Sequence, residues 1–238
     1  MEKEQSTSNP RRKFLGTLAA GAAALGLSSF SPLTARAGEI TQPENIPTGM
    51  KDADEWFNQI KGKHRIVYDV TGPKEGHELV MPFAWSKVFL MTNTAPGGAE
   101  KDNNVVVVLR HNAIPFAMND AMWAKYKFGE NFKINDPNNG KASVRNMMWK
   151  PNPAFSVPGL GPVPIGIDEL QANGVMFCVC DVALTVNSAA LAEGMKMKGE
   201  DVKKEWVANL LPGVQVVPSG VWAVGRAQEH KCGYCFAG

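Results

Sequence analysis

The sequence of 238 residues lacks the features that would decide its class at once. Its formal net charge is only +2, and it contains no internal repeat, no metal-type pair of histidines, no P-loop and no GxGxxG dinucleotide motif. Because 44% of the residues are apolar and 20% are charged, the composition excludes a collagen-like, disordered or coiled-coil chain. The sequence therefore predicts a globular protein.

The small basic excess is concentrated at the start of the chain. Five of the 25 basic and two of the 23 acidic residues lie in residues 1–37, so that 20 basic and 21 acidic residues follow. The body of the protein is nearly neutral and lacks the basic surface with which proteins bind nucleic acid or anionic membranes. We predict no nucleic-acid partner.

Residues 1–37 have the organisation of an export signal. A pair of arginines precedes an apolar run, residues 18–27, that is too short to span a bilayer, and residues 35–37 provide a small-x-small cleavage site. The arginine pair followed by Phe-Leu resembles the twin-arginine signal, and the alternative is an ordinary secretory signal with adjacent arginines. Either route predicts a periplasmic protein that begins at Gly38 and keeps no stable membrane insertion after cleavage.

The remaining chain alternates strand and helix patterns. A short helix from residue 52 is predicted inside an N-terminal extension, residues 38–63, and an α/β domain follows at residues 64–238. Apolar, β-branched runs predict strands at residues 66–70, 105–109, 175–180, 214–217 and 234–236. Helices are predicted at residues 82–93, 115–128, 168–172, 182–192, 201–211 and 221–230. This alternation predicts an α/β fold with a five-stranded, mainly parallel sheet covered on both faces.

One long segment interrupts the alternation. Residues 129–166 contain six prolines and no sustained period, and a segment of this length within a compact domain is usually functional or disordered. We interpret it as a flap or an oligomer contact anchored by Met147, Met148 and Trp149. The alternative is a mobile excursion on the surface.

The candidate site follows from the ends of the predicted strands. Open α/β sheets bind ligands beyond the carboxyl ends of their strands, and the residues found there include His111, Asn112, Cys180, Ser219 and Gly220. A cysteine between a strand and a helix faces free backbone amides that favour its thiolate form. Cys180 is thus a candidate nucleophile with His111 as acid, base or positive neighbour. The alternatives are a buried apolar Cys180 and a structural His111.

The four cysteines form two pairs, Cys178 with Cys180 and Cys232 with Cys235. Three interpretations stay open: a redox-active C-x-x-C pair, a four-thiolate zinc or copper(I) site, and a structural disulfide that fixes the C-terminus. The predicted topology leaves Cys232 at the opposite end of the sheet from Cys180, which argues against one shared metal site within a subunit. No other cofactor is predicted.

Short motifs in the right order resemble a known family. The strand-end motif Cys-Asp-Val-Ala-Leu at residues 180–184 is similar to an element of the DsrE/DsrF-like proteins. Val-Pro-Ser-Gly-Val at residues 217–221, with Ala-Gln at 227–228 and Gly-Tyr at 233–234, resembles the closing pattern of that family. The resemblance covers about residues 64–236. It implies a flavodoxin-like three-layer fold, assembly into trimers or hexamers, and a cysteine that carries sulfur as a persulfide.

The position of that cysteine matches Cys180 alone. The leading prediction is therefore an exported thiol protein that accepts sulfane sulfur on Cys180 from a donor protein or a small sulfur compound and relays it to an acceptor. His111, Asn112, Ser219 and Gly220 would shape the site. Cys178, two residues earlier on the same strand face, would resolve the product. The alternatives are a copper- or zinc-binding thiolate protein and a non-catalytic assembly module with inert disulfides.

Overall fold

The computed structural model describes residues 49–72, 80–159 and 161–237. The predicted export signal and the mature start at Gly38 lie outside the described residues. Within the described part of the chain, no helix combines the length and apolar character needed to cross a membrane.

The strands in chain order are β1 (His64–Val70), β2 (Asn103–Leu109), β3 (Ser156–Val157), β4 (Gly161–Pro162), β5 (Met176–Cys180), β6 (Val214–Val217) and β7 (Gly233–Phe236). Five of them form one sheet in the order β6-β5-β2-β1-β7, and every neighbouring pair in it is parallel. The other two, β3 and β4, form a small antiparallel hairpin. The predicted α/β fold with a five-stranded parallel sheet is confirmed, and it is consistent with a flavodoxin-like three-layer fold.

The α-helices are α1 (Gly49–Trp56), α2 (Met81–Thr94), α3 (Asp120–Lys125), α4 (Phe128–Asn131), α5 (Ile167–Ala172), α6 (Asp181–Met195), α7 (Gly199–Ala208) and α8 (Gly220–Glu229). Their buried side chains fall into two clusters on the two faces of the sheet. Helices α2 to α7 contribute to the larger cluster, whereas α1 and α8 contribute to the smaller one. The sheet is therefore buried on both faces, as its apolar central strands require.

Two predicted helices differ from the structure. Residues 115–128 do not form one helix: a 3-10 helix, His111–Ala117, is followed by the separate helices α3 and α4. The separation arises because Asn119 caps α3 through its side chain and Lys127 adopts a left-handed conformation before α4. The helix predicted from Asp201 begins earlier, at Gly199, and ends at Ala208 rather than running on to residue 211.

The segment at residues 129–166 is tied to the core. Met147 and Met148 are buried as predicted, while Trp149 is half-buried. The fully buried Asn146 donates from its side-chain nitrogen to the carbonyl oxygens of Phe116 and Met118, both at 2.9 Å. These bonds hold the segment against the 3-10 helix that follows β2.

Candidate functional site

An open cavity of about 250 Å³ lies at the carboxyl edge of β2, β5 and β6. Ten residues line it: Arg110, His111, Cys180, Val182, Ala183, Val186, Asn187, Ser219, Gly220 and Val221. Because α6 and α8 pack on opposite faces of the sheet and both begin at this edge, their N-termini approach the cavity from two sides. Four of the predicted site residues, His111, Cys180, Ser219 and Gly220, meet here.

Cys180 is the last residue of β5 and the N-cap of α6. Its backbone is extended, and its Sγ accepts a hydrogen bond from the backbone nitrogen of Ala183 at 3.3 Å. The residue is 6% exposed and borders the cavity. The position therefore gives the sulfur atom a backbone donor on the protein side and access to small molecules on the other.

Asp181 follows Cys180 directly but turns to another partner. Its carboxylate accepts a hydrogen bond from Lys203 Nζ of α7 at 2.8 Å, and it does not line the cavity. The ion pair compensates the negative charge next to the thiol, since a nearby unpaired carboxylate would oppose formation of a thiolate.

Ser219 and Gly220 form the start of α8. The Ser219 Oγ accepts from the backbone nitrogen of Trp222 at 3.2 Å and caps the helix. Gly220 has no side chain because Arg110 occupies the adjacent space: a Cβ built on Gly220 would lie 2.5 Å from the Cβ and Cδ of Arg110. The glycine thus lets α8 begin directly against the end of β2.

His111 and Asn112 behave differently, although they are adjacent. His111 is exposed on the rim of the cavity, with a left-handed backbone at φ 54°. Asn112 is not among the lining residues, and its backbone nitrogen donates to the carbonyl oxygen of Thr71 at 2.8 Å. The structure therefore joins His111 to the cavity and leaves Asn112 in the turn beside it.

An ion pair beside the cavity was not anticipated from the sequence. Arg110 donates two hydrogen bonds to the buried carboxylate of Asp69, from Nε to Oδ1 at 2.6 Å and from Nη2 to Oδ2 at 2.8 Å. Tyr234 on β7 donates its hydroxyl to the same Oδ2 at 3.0 Å. The hydrogen bond to Asp69 raises the pKa of Arg110, and the nearby Cys180 acts in the same direction. The bond to Asp69 likewise raises the pKa of Tyr234.

The sequence does contain a signal for this network. Asp69 is a charged residue within an apolar, β-branched strand, and buried acids are rare unless they are paired. Arg110 stands at the end of the most apolar strand of the chain, β2. A partner for Asp69 could therefore have been sought among the basic residues at neighbouring strand ends.

Cys178 lies deeper in the same strand. It is 0% exposed and packs with Val217, Ala223 and Ala227 beneath α8. Burial raises the pKa of its thiol far above the ordinary value, and the neighbouring Cys180 adds to the shift. In this conformation Cys178 is a neutral core side chain without access to the cavity.

Cys232 and Cys235 lie at the edge strand β7, which is separated from β5 by β1 and β2. All four cysteines are free thiols in the structure. Cys232 is buried at the entry to β7, whereas Cys235 pairs in register with Tyr68 within the strand. Cys232 belongs to the smaller buried cluster, whereas Cys235 packs against the larger cluster on the other face of the sheet. This geometry disfavours both a disulfide and a redox cycle between these two thiols.

The strand order also separates the two cysteine pairs. Strands β5 and β7 are three strand spacings apart, a distance of about 14 Å. Among the residues that the structure describes, no three His, Cys, Asp or Glu side chains converge in a metal-binding group. The separation of the two strands argues against a four-thiolate site within one subunit.

A second cavity of about 200 Å³ is built mainly by the segment at residues 129–166. Its walls include Met147, Met148, Phe155 and Ile165, with Arg145 at the border. It contains no cysteine or histidine, so it adds nothing to a thiol site.

Comparisons with known proteins leave the family open. No protein-family model matches the chain, and no curated protein matches it. One solved structure that is similar belongs to a protein of unknown function from Methanobacterium thermoautotrophicum. The TM-score is 0.37 at 17% sequence identity, over 73% of this chain and 98% of that one. A likeness at this level supports no conclusion about function.

Proposed function

We propose that this protein is a sulfur carrier that accepts sulfane sulfur on Cys180 as a persulfide and relays it to an acceptor. The observation that carries the proposal is the position of Cys180: it ends a central strand, caps a 15-residue helix and borders an open cavity. The motif resemblance to DsrE/DsrF-like proteins at residues 180–184 and 217–221 supports the same role.

The chemistry follows the rules of thiol exchange. The Cys180 thiolate attacks the terminal sulfur of a donor persulfide R–S–SH, and a new S–S bond forms as the donor's S–S bond breaks. The leaving thiolate R–S⁻ takes the bonding electron pair, and no external oxidant or reductant is consumed. Transfer to an acceptor thiol repeats the step in the opposite direction.

The neighbours of Cys180 have separate roles in this proposal. The amide of Ala183 donates to the sulfur, and the start of α8 lines the same cavity, so both favour negative charge there. His111, exposed on the rim, donates a proton to the leaving thiolate. Cys178 is fully buried, so the proposal assigns the transferred sulfur to Cys180 and leaves Cys178 in the core.

The test is sulfur uptake measured by mass. The purified protein is incubated with inorganic polysulfide, alkylated, and analysed by intact and peptide mass spectrometry. We expect one added sulfur atom on Cys180 that reductant removes, no uptake in Cys180→Ser, and normal uptake in the matched control Cys235→Ser. Undiminished uptake by Cys180→Ser would overturn the proposal. A native mass excess equal to a metal ion would instead favour metal held between subunits.

We further propose that the chain acts after export to the periplasm, as a homotrimer or homohexamer. The support is the organisation of residues 1–37 together with the motif resemblance. Intact mass of the protein recovered from the periplasm, and light scattering after size-exclusion chromatography, test the two parts. A chain that still carries residues 1–37 in the cytoplasm would contradict the first part, and a monomer would contradict the second.

A further inference from the structure

The charged side chains that line the Cys180 cavity are basic and not acidic. Within the described part of the chain, none of its lining residues carries a carboxylate, and its polar side chains include Arg110, His111 and Ser219. The nearest acid in sequence, Asp181, is paired with Lys203 outside the cavity. The two acid oxygens that face Arg110 belong to Asp69, which is 3% exposed and lies behind it.

Arg110 is held in one place by Asp69 and by the start of α8. Asp69 fixes two of its guanidinium nitrogens, and the Tyr234 hydroxyl fixes the Asp69 oxygen in turn. The start of α8 closes on the Arg110 side chain where Gly220 leaves room for it. Bidentate pairs of this kind give an arginine a defined orientation. Arg110 therefore lines the Cys180 cavity, and the orientation of its guanidinium is fixed.

The cavity is also small. At about 250 Å³ it lies below the usual range of roughly 300–1,000 Å³ for sites that bind drug-sized ligands. Its rim is apolar, with Val182, Val186 and Val221 exposed. Such a space admits a compact substrate of a few heavy atoms.

We propose that the sulfur substrate of this cavity is a small anion, that Arg110 binds its charged group, and that Asp69 and Tyr234 are positioning residues for Arg110. This inference rests on the proposed function and specifies its substrate class. Thiosulfate is the simplest member of the class. The Cys180 thiolate attacks its outer sulfur, the S–S bond of thiosulfate breaks, and sulfite leaves with the bonding pair, so that Cys180 carries the persulfide and the charges balance.

The test compares two alkylating reagents that differ in charge. Iodoacetate and iodoacetamide both attack a cysteine thiolate, so the ratio of their rates at Cys180 reports on charge recognition and cancels changes in thiolate content. Labelling is followed at Cys180 by peptide mass spectrometry in a Cys235→Ser background. We expect Arg110→Gln to lower the iodoacetate-to-iodoacetamide ratio about fivefold, the size expected for one unit charge near a solvent-open site. Tyr234→Phe should lower it about twofold.

Two controls keep the result interpretable. Arg226→Gln removes the same charge from the far end of α8, where Arg226 pairs with Asp54 and Glu229, and it should leave the ratio unchanged. Because Arg110→Gln leaves the buried Asp69 without its positively charged partner, the double variant Asp69→Asn/Arg110→Gln, which removes both charges, is measured in parallel. Circular dichroism confirms that each variant is folded.

The outcomes separate this inference from the sulfur-carrier proposal. An unchanged ratio in folded Arg110→Gln, or an equal drop in Arg226→Gln, overturns anion recognition by Arg110 even if polysulfide still loads Cys180. A lowered ratio in a protein whose Cys180 takes up no sulfur overturns the sulfur carrier and leaves the anion site standing.

Discussion

The two cysteine-bearing strands, β5 and β7, place similar residues in different environments. Strand β5 is flanked on both sides, by β2 and β6, and it ends at a cavity between two helix N-termini. Strand β7 lies at the edge of the sheet, with Cys232 buried before its first residue and Cys235 beside Tyr68. Burial raises the pKa of Cys232 to about 11.

Sequence spacing alone does not identify a reactive thiol in this protein. Cys232-x-x-Cys235 has the spacing of a redox pair, but its two thiols pack against different faces of the sheet. Cys178-x-Cys180 does not have the spacing of a redox pair. Its second cysteine, however, ends a strand at the point where a helix begins. The position at the carboxyl end of a central strand is what gives a cysteine both amide donors and access.

The largest expected effect contrasts the two thiols within β5. In native protein at pH 8, iodoacetamide should label Cys180, while Cys178 should react at least about a thousandfold more slowly than in urea-unfolded protein, because it is enclosed and its thiol is held neutral. Peptide mass spectrometry over time gives both rates. Labelling of Cys178 within tenfold of its unfolded rate would show that the strand opens, and it would restore Cys178 as a resolving thiol.

The second prediction concerns the support of the β5 site by its neighbouring strands. Arg110→Gln should lower the free energy of unfolding by about 3 kcal/mol, because it leaves the buried carboxylate of Asp69 without its positively charged partner. Adding Asp69→Asn should recover most of the loss. Urea unfolding followed by tryptophan fluorescence measures both variants.

A matched surface change provides the control for that prediction. Arg226→Gln breaks ion pairs with Asp54 and Glu229 that are largely exposed, and it should change the stability by no more than about 0.5 kcal/mol. An equal loss of unfolding free energy in both single variants would mean that the Arg110–Asp69 ion pair stabilises the fold no more than an exposed ion pair does.

The strands and helices that could be predicted from the sequence were those with a clear local pattern of apolar residues. The apolar run of β2 lies where it was predicted, because a strand buried on both faces must be continuously apolar. The strand at residues 214–217 also has its predicted bounds, although it is a half-buried edge strand that contains Gln215. The single helix predicted at residues 115–128 was wrong, since a 3-10 helix and two short α-helices share one apolar pattern. The Asn119 cap and the left-handed Lys127 separate them. Periodicity does not distinguish one helix from several that bury the same face.

The residues of the candidate site likewise fall into those that local patterns predict and those that only the strand order brings together. Cys180, His111, Ser219 and Gly220 could be found because the carboxyl ends of parallel strands meet at one edge, a rule that needs only the strand boundaries. The contact of Arg110 with Asp69 spans 41 positions, and that of Tyr234 spans 165. Such contacts depend on strand order, and the sequence does not state that β7 pairs with β1.

The stability of the protein at alkaline pH should depend on the burial of Cys232, next to β7. The folded pKa of Cys232 is raised to about 11 from an ordinary value of 9.0, so the unfolded chain releases this proton first. Its contribution to stability is complete below pH 9 and is lost as pH rises toward 11, by about 2 kcal/mol in all. Cys232→Ala should therefore lose less stability than the wild type between pH 9 and pH 11. Parallel curves for the two proteins would show that Cys232 is not shielded in this way.

The smallest changes in stability are expected for substitutions at two glycines on α8, and the two changes have opposite signs. Gly220→Ala should cost about 1–2 kcal/mol, because its Cβ would meet the Cβ and Cδ of Arg110 at 2.5 Å. Gly225→Ala meets no atom within 4 Å, and it should stabilise the protein by about 0.5–1 kcal/mol through helix propensity. Thermal and urea unfolding of the two variants measure the difference. If both substitutions stabilise, the close packing of α8 on Arg110 is not what fixes the guanidinium, and that positioning has to come from Asp69 and Tyr234 alone.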